Sequence, residues 1–195
     1  DKVFWIRTCL LCASIFANLS ILGFFKYADF FIETINLIAH TSIPTLDLPL
    51  PIGISFFTFQ TMSYSIDLYR REVKVEKNFF SFMTYVSMFP QLIAGPIVRF
   101  STVNEELHNR VIDFRGFYQG SFRFLQGLIK KVLLANQMGA LWNMIQGQPY
   151  GTISVLTAWL GAVAFTLQLY FDFSAYSDMA IGMGQMMGFH YLENF

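Results

Sequence analysis

The chain has 195 residues and no net formal charge at pH 7; 54% of its residues are hydrophobic, 18% aromatic and only 13% charged. Soluble domains carry about 25% charged residues, so this composition predicts a membrane protein and argues against an ordinary soluble enzyme. The balanced charge and the lack of a basic arm interleaved with aromatic residues exclude nucleic acid as an expected partner.

The first predicted element is a membrane-spanning helix from Val3 to Phe25. This stretch exceeds the length of a signal-peptide core and no small-residue cleavage pattern follows it, so it is expected to remain in the mature protein. Asp29 to Ala39 follows with apolar residues at helical spacing, which predicts a separate amphipathic helix at the membrane interface.

A second span is predicted from Leu50 to Tyr69, after a proline-broken stretch. On a helix, residues three, four and seven positions apart share one face. That spacing gives the second span one polar face, made of Gln60, Ser63, Tyr64 and Asp67. Such a face does not suit lipid.

The third apolar stretch, Phe79 to Val98, is predicted to enter the membrane and return on the same side. Ten of the 13 basic residues fall between Arg70 and Lys131, which marks both flanks of this stretch as cytoplasmic. Pro90, Gly95 and Pro96 would break its helix. A proline-kinked ordinary span remains the alternative.

The remaining predicted elements are an interfacial helix, a span and a short fifth segment. Phe117 to Trp142 is amphipathic, and its basic side chains are expected to reach lipid headgroups; they are Arg123, Lys130 and Lys131. Ile153 to Phe171 predicts a span, and Ser174 to Phe189 predicts a shorter segment rich in Gly and Met, in which Gly184 and Gly188 form a G-x-x-x-G close-packing pattern.

Polar side chains also line the last two segments. If the helix continues through Phe173, one face holds Thr166, Tyr170, Ser174, Ser177, Asp178 and Gln185, while a second holds Gln168, Asp172 and Tyr176. An aspartate at the bilayer centre costs about 2.5 to 3.5 kcal/mol, so it marks a functional site or an interhelical hydrogen bond. Both interpretations stay open for Asp178.

No catalytic chemistry can be derived from residue spacing alone. Cys9 and Cys12 form C-x-x-C without a second Cys or His pair, and no cluster has metal-site spacing. The three histidines, His40, His108 and His190, are scattered, and each is interpreted as an interfacial or hydrogen-bonded residue.

Three long stretches, "LPIGISFFTFQTMSYSIDLYR", "FPQLIAGPIVRF" and "YFDFSAYSDMAIGMGQMMGFHYLENF", together resemble the membrane-bound O-acyltransferase family. Within it, the resemblance is closest to the membrane subunits of bacterial alginate O-acetyltransferases. It covers most of Leu48 to Phe195 in the family's order. The implied fold is all-α and polytopic: a helical bundle with interfacial helices and a re-entrant segment, of which residues 1–195 form one partial domain.

The resemblance implies an enzyme of the bacterial inner membrane that passes an acetyl group from a cytoplasmic donor toward exopolysaccharide hydroxyls. A family histidine in an "RxWH"-type motif, which follows the "ENF" segment, accepts the hydroxyl proton; His190 does not match it. We therefore expect the chain to be a fragment that is inactive by itself. The resemblance also implies that the helices surround a tunnel through the membrane, and the residues expected to line or support it are Gln60, Arg99, Tyr170, Asp172, Ser174 and Asp178.

The implied donor is acetyl-coenzyme A or a similar acyl donor, used as a substrate, with no tightly bound cofactor and no metal. The implied partners are the lipid membrane, a polysaccharide acceptor and a periplasmic acetyltransferase. The alternative hypothesis is a transporter or export-channel subunit, because a broken segment with intramembrane carboxylates is also how secondary transporters build their sites.

Overall fold

The computed structural model describes residues 2–92, 98–149 and 151–195, and all regular structure in these ranges is helical. In chain order the helices are α1 (Lys2–Ala39), α2 (Ile54–Arg70), α3 (Phe79–Ser87), α4 (Phe89–Leu92), α5 (Phe100–Asn109), α6 (Phe114–Ile129), α7 (Asn136–Gln146) and α8 (Val155–Met186), with a π-helical segment (Lys130–Ala135) joining α6 to α7. Helices α1 and α8 are long and apolar enough to cross a membrane. The prediction of an all-helical membrane protein is confirmed.

The helices form two compact units. The first contains α1 to α4 and most of α5, and the second contains α6, the π-helical segment, α7 and α8. The prediction of one domain over the whole chain stays a prediction.

Helix α1 runs without a break through 38 residues, and none of its side chains is buried. The prediction of a separate interfacial helix from Asp29 to Ala39 is wrong, because Lys26, Tyr27 and Ala28 include no helix-breaking residue before it. At about 1.5 Å per residue, α1 is about 57 Å long, well beyond the roughly 30 Å hydrocarbon core of a bilayer.

Helix α2 packs against α1 in the antiparallel direction. The Ser14 and Ser65 hydroxyls lie 2.9 Å apart, and the Arg7 guanidinium donates to the carbonyl of Tyr69 near the end of α2. The helix begins after Gly53, whose φ of 77° favours glycine. Gln60, Tyr64 and Asp67 are buried, as expected for the polar face predicted from their spacing.

The predicted re-entrant stretch is a broken helix. Helix α3 ends at Ser87, and Met88 has extended backbone with ψ at 114°, two residues before Pro90. The hydroxyl of Tyr85 donates to the carbonyl of Val98 at 2.9 Å, so the chain has returned to α3 by that residue. Two of its predicted breaking residues, Gly95 and Pro96, lie outside the described residues. Entry into a membrane and return from it stay a prediction.

The second unit is built on two long antiparallel helical stretches. Helix α6, the π-helical segment and α7 are consecutive from residue 114 to residue 146, so the predicted helix from Phe117 to Trp142 is confirmed and extended. Helix α8 is continuous over 32 residues, so the stretches Ile153 to Phe171 and Ser174 to Phe189 belong largely to one helix, and the continuation through Phe173 that the sequence left open is confirmed. No proline interrupts α8, and its serines and glycines are buried against its neighbours.

Candidate functional site: the charged contacts between α6 and α8

The two long stretches of the second unit touch through their backbones. A Cβ atom on Gly182 would lie 2.6 Å from the carbonyl oxygen of Gly120 and 2.6 Å from the amide nitrogen of Phe124. A Cβ on Gly127 would lie 2.6 Å from the carbonyl oxygen of Ala175. These glycines allow α6 and α8 to approach closely, and long side chains from either helix can therefore reach groups on the other.

Asp178 is the centre of the site and is held by two cations from the facing stretch. Its side chain is only 10% exposed. The Nε of Arg123 donates to Oδ1 at 2.8 Å, and the ammonium of Lys130 donates to Oδ2. The same ammonium lies 3.3 Å from the Ser174 hydroxyl. Both carboxylate oxygens are therefore occupied by charge-assisted hydrogen bonds.

Arg123 also binds the segment that follows α8. Gly188, with φ at 80°, ends the helix in a Schellman motif, in which the amide of Phe189 donates to the carbonyl of Gly184 at 2.9 Å. The chain then lies back along α8. The Arg123 fork donates through Nη1 to the Glu193 carboxylate at 2.9 Å, and the ring of Phe195 contacts Tyr170 with centroids 5.8 Å apart.

The π-helical segment places two neighbouring lysines against α8. On an α-helix, consecutive side chains point about 100° apart, because one turn takes 3.6 residues. Here Lys130 reaches Asp178 while Lys131 pairs with Asp172, six residues earlier on α8. The wider i→i+5 turn begins at these lysines. Such π-helical turns are frequent at functional sites.

The three cations thus face three carboxylates. That Arg123, Lys130 and Lys131 can reach lipid headgroups stays a prediction; the structure pairs all three with carboxylates of α8 and the following segment. The pKa of the Arg123 guanidinium is raised, first by its hydrogen bond to Glu193 and further by Asp178, against the opposing effect of burial. The arrangement places fixed charges of opposite sign in contact, and its charge-assisted hydrogen bonds join α8 to the facing helical stretch.

The six predicted site residues are distributed over both units. The Lys130 ammonium donates to both Ser174 and Asp178, and the neighbouring Lys131 donates to Asp172. These three predicted residues therefore lie in one charged cluster. Tyr170 is half exposed and lies on the same helix. Gln60 and Arg99 belong to the first unit, Gln60 buried and Arg99 exposed.

The first unit contains buried polar atoms without partners among the described residues. They are Oε1 of Gln60 and Oδ2 of Asp67, on side chains of residues only 2% and 3% exposed. An unsatisfied buried acceptor costs about 1 to 3 kcal/mol, so each one needs an explanation. Gln60 also lines an apolar cavity of about 170 Å³ with Ser55, Phe56 and Phe59. Gln60 therefore remains a candidate for contact with a ligand.

Sequence reasoning missed the basic half of the charged cluster, and it misassigned one glycine pair. Arg123 and Lys130 are seven residues apart and so lie on one helix face, a signal that could have paired them with the α8 carboxylates. The G-x-x-x-G pair does not join two helices: Gly184 lies under the Tyr191 ring, and Gly188 ends α8. In the described ranges no three His, Cys, Asp or Glu side chains are grouped to hold a metal ion.

Glu193→Gln is expected to destabilise the complete protein by less than about 1 kcal/mol. The Glu193 side chain is 58% exposed, and exposed ion pairs contribute little because water and salt screen them. Thermal unfolding of the purified variant in detergent, at low and at high salt, measures the change. A loss of several kcal/mol would contradict this prediction and would give the segment after α8 a larger structural role.

Comparison with known proteins identifies close relatives, although no protein-family model matches the chain. The chain is 45% identical over 197 aligned residues to "Probable alginate O-acetylase AlgI" of Pseudomonas syringae pv. tomato, which covers 95% of the chain and 36% of that protein. The protein of the same name from Pseudomonas aeruginosa is 43% identical, and the alignment covers 95% of the chain and 36% of that protein. "Peptidoglycan O-acetyltransferase" of Helicobacter pylori is 37% identical, and the alignment covers 89% of the chain and 38% of that protein.

These relatives agree with the resemblance drawn from the three quoted stretches. The alignments extend over nearly the whole chain, including α1, which that resemblance did not cover. The chain spans little more than a third of the length of each relative. By sequence it is therefore a relative of the bacterial alginate O-acetylases and matches a segment of about 36% of their length.

Proposed function

We propose that the complete protein is a membrane O-acetyltransferase, which passes an acetyl group from a cytoplasmic donor across the inner membrane toward hydroxyl groups of a polysaccharide outside it. The observation that carries this proposal is the 37% to 45% identity to proteins named as O-acetylating enzymes of alginate and peptidoglycan. Both named acceptors are carbohydrate polymers. Acetyl-coenzyme A or a similar thioester is the proposed donor.

The proposed reaction is acyl transfer. The acceptor hydroxyl oxygen attacks the carbonyl carbon of the acetyl thioester, the carbon–sulfur bond breaks, and the thiolate leaves with the electron pair. A general base takes the hydroxyl proton, a contribution typically worth about 10² to 10⁴ in rate. The resemblance assigns this role to a histidine directly after a tryptophan; the 195 residues contain no such pair. Asp178, with both oxygens in ion pairs, does not serve as this base.

The residues of this chain have supporting roles in the proposal. Asp178, Ser174 and Asp172 hold α8 against the preceding helical stretch, so that the helix presents a rigid wall to the reactants. Gln60, Arg99 and Tyr170 are proposed to line or support the passage between donor and acceptor. The unpartnered Gln60 oxygen supports such a role, because a bound hydroxyl would satisfy it.

The proposal includes a place and a partner. The excess of basic residues between Arg70 and Lys131 supports a cytoplasmic position for that part of the chain in a multi-pass inner-membrane protein. A periplasmic acetyltransferase is the proposed partner, since the product must reach a polymer outside the membrane. The transporter alternative is not favoured by any observation on Asp172 and Asp178 beyond their acidity, since each of them pairs with a lysine of the facing helical stretch.

Membrane vesicles from cells that express the complete gene product test the proposal. With labelled acetyl-coenzyme A, a periplasmic extract and polysaccharide, we expect ester-linked label on the polymer that mild alkali releases. The 195-residue chain alone, in matched vesicles, is expected to give at least about a hundredfold less product, because the general base is missing. Absence of ester with the complete protein, or equal turnover by the chain alone, would contradict the proposal, and substrate counterflow without acetyl transfer would favour the transporter.

A further inference from the structure

A groove of about 360 Å³ lies between α1 and α2, at the end where α1 begins and α2 ends. Its walls are mainly apolar, and the eight lining residues are Arg7, Leu10, Leu11, Ser14, Ser65, Leu68, Tyr69 and Val75. The two serine hydroxyls bond each other at 2.9 Å, so the polar groups of its wall are already satisfied. The groove therefore offers apolar surface along its length and a single charged side chain, Arg7.

Arg7 has hydrogen-bonding capacity to spare. Its guanidinium donates to the Tyr69 carbonyl and lies over the Tyr69 ring at 5.4 Å from the centroid. A guanidinium has five N–H donors, of which this contact uses one. Within the described part of the chain, no carboxylate lies within 4.0 Å of it.

Further positive charge lies beside the groove. Arg71 and Lys74 follow the end of α2, are exposed, and form no ion pair among the described residues. Glu72 is the one acidic residue between them, and its carboxylate oxygen Oε1 pairs with Nη1 of Arg70 at 3.9 Å. The loop returns to the groove at Val75. An apolar channel between two helices thus contains one cation, Arg7, and the loop between its lining residues Tyr69 and Val75 carries two more, Arg71 and Lys74.

We propose that this groove binds one anionic phospholipid, with an acyl chain against the leucines and the phosphate on Arg7, Arg71 and Lys74. The chemistry of the site matches both ends of such a molecule, and neither a free phosphate nor a neutral lipid matches both. The basic loop is predicted to be cytoplasmic, and anionic lipids attract basic segments on that side of a membrane. Arg7 lies five residues after the first residue of α1, about one and a half turns into the helix, a distance that its long side chain spans by snorkelling.

Native mass spectrometry of the complete protein in detergent tests this site, with phosphatidylglycerol and phosphatidylcholine of identical acyl chains as probes. We expect phosphatidylglycerol to be retained at least about tenfold more strongly. Arg7→Gln is expected to weaken its retention about fivefold, and Arg71→Gln with Lys74→Gln by more, since each cation near the headgroup contributes about 1 kcal/mol. Lys26→Gln is the matched control, because it removes one cation from the same helix outside the groove, and it should change nothing.

Two further variants separate the groove from general surface charge and from misfolding. Leu68→Trp fills the groove while keeping every cation, and it should lower retention of phosphatidylglycerol several-fold. Arg7→Lys keeps the charge and should retain the lipid within about threefold, since a lysine binds phosphate as a point charge. Equal retention of the two lipids, no effect of Leu68→Trp, or equal losses in Arg7→Lys and Arg7→Gln would each overturn the proposal.

Discussion

Gly182→Ala is expected to separate α8 from α6 and to destabilise the complete protein by about 3 kcal/mol, the upper end of typical overpacking costs. The added methyl group would lie 2.6 Å from the Gly120 carbonyl oxygen and 2.6 Å from the Phe124 amide nitrogen. Both atoms belong to the backbone of α6, so no side-chain rotation relieves the overlap. The helices must move apart, and the ion pairs that join them must lengthen.

Gly23→Ala is the matched control for this substitution. It adds the same methyl group to α1, where no atom beyond the adjacent backbone of the helix itself lies within 4 Å, so the variant should gain up to about 1 kcal/mol from its better helix propensity. Thermal unfolding in detergent and the yield of monodisperse protein measure both variants. If Gly182→Ala unfolds at the same temperature as Gly23→Ala, the close approach of α6 and α8 is wrong.

Asp178→Asn is expected to cost about 2 to 3 kcal/mol, because it leaves two cations without their shared carboxylate. Removing one partner of a fully buried ion pair costs about 3 to 5 kcal/mol. The cost here is lower, since the Arg123 and Lys130 side chains are 27% and 39% exposed and water can solvate them. Specific acetyl transfer by the protein that does fold is expected to stay within about fivefold, because a general base would be worth at least about a hundredfold.

Two comparisons make this second prediction decisive. Asp172→Asn removes a carboxylate that pairs with one lysine and is 29% exposed, so its cost should stay below about 1 kcal/mol. The triple variant Asp178→Leu, Arg123→Met and Lys130→Met should recover much of the stability, since apolar replacement of a buried ion pair is often neutral or favourable. A loss of activity of about a hundredfold or more, in Asp178→Asn that is folded and stable, would contradict the positioning role and would place this carboxylate among the reacting groups.

The apolar elements were predictable from the sequence, while their lengths were not. The hydrophobic stretch of α1 and the polar face of α2 follow from composition and from 3.6-residue spacing, which are local properties of the chain. The continuity of α8 through Ser174 and Ser177 does not follow from them. Isolated serines and glycines weaken a helix, but tertiary packing on both sides overrides this preference.

The candidate site, like the helices, could be predicted from the sequence only in part. Asp178 could be singled out from the sequence because a carboxylate among apolar residues is costly. Its partners, Arg123 and Lys130, lie 55 and 48 residues earlier in the chain, and no local pattern specifies which distant charge will be adjacent to it. The close approach of α6 and α8 at Gly120 and Gly182 decides that pairing.

The sequence by itself determined the class of the protein, an all-helical membrane protein related to alginate O-acetylases. Hydrophobicity and sequence similarity are properties of the residues themselves and can be measured without knowing which residues are in contact. Only the tertiary structure decided what the charged residues do. Arg123, Lys130 and Lys131 would suit lipid headgroups on an isolated helix. They bind carboxylates here because helix packing brings those anions within hydrogen-bonding distance, where a charge-assisted pair replaces the costly separate burial of each charge.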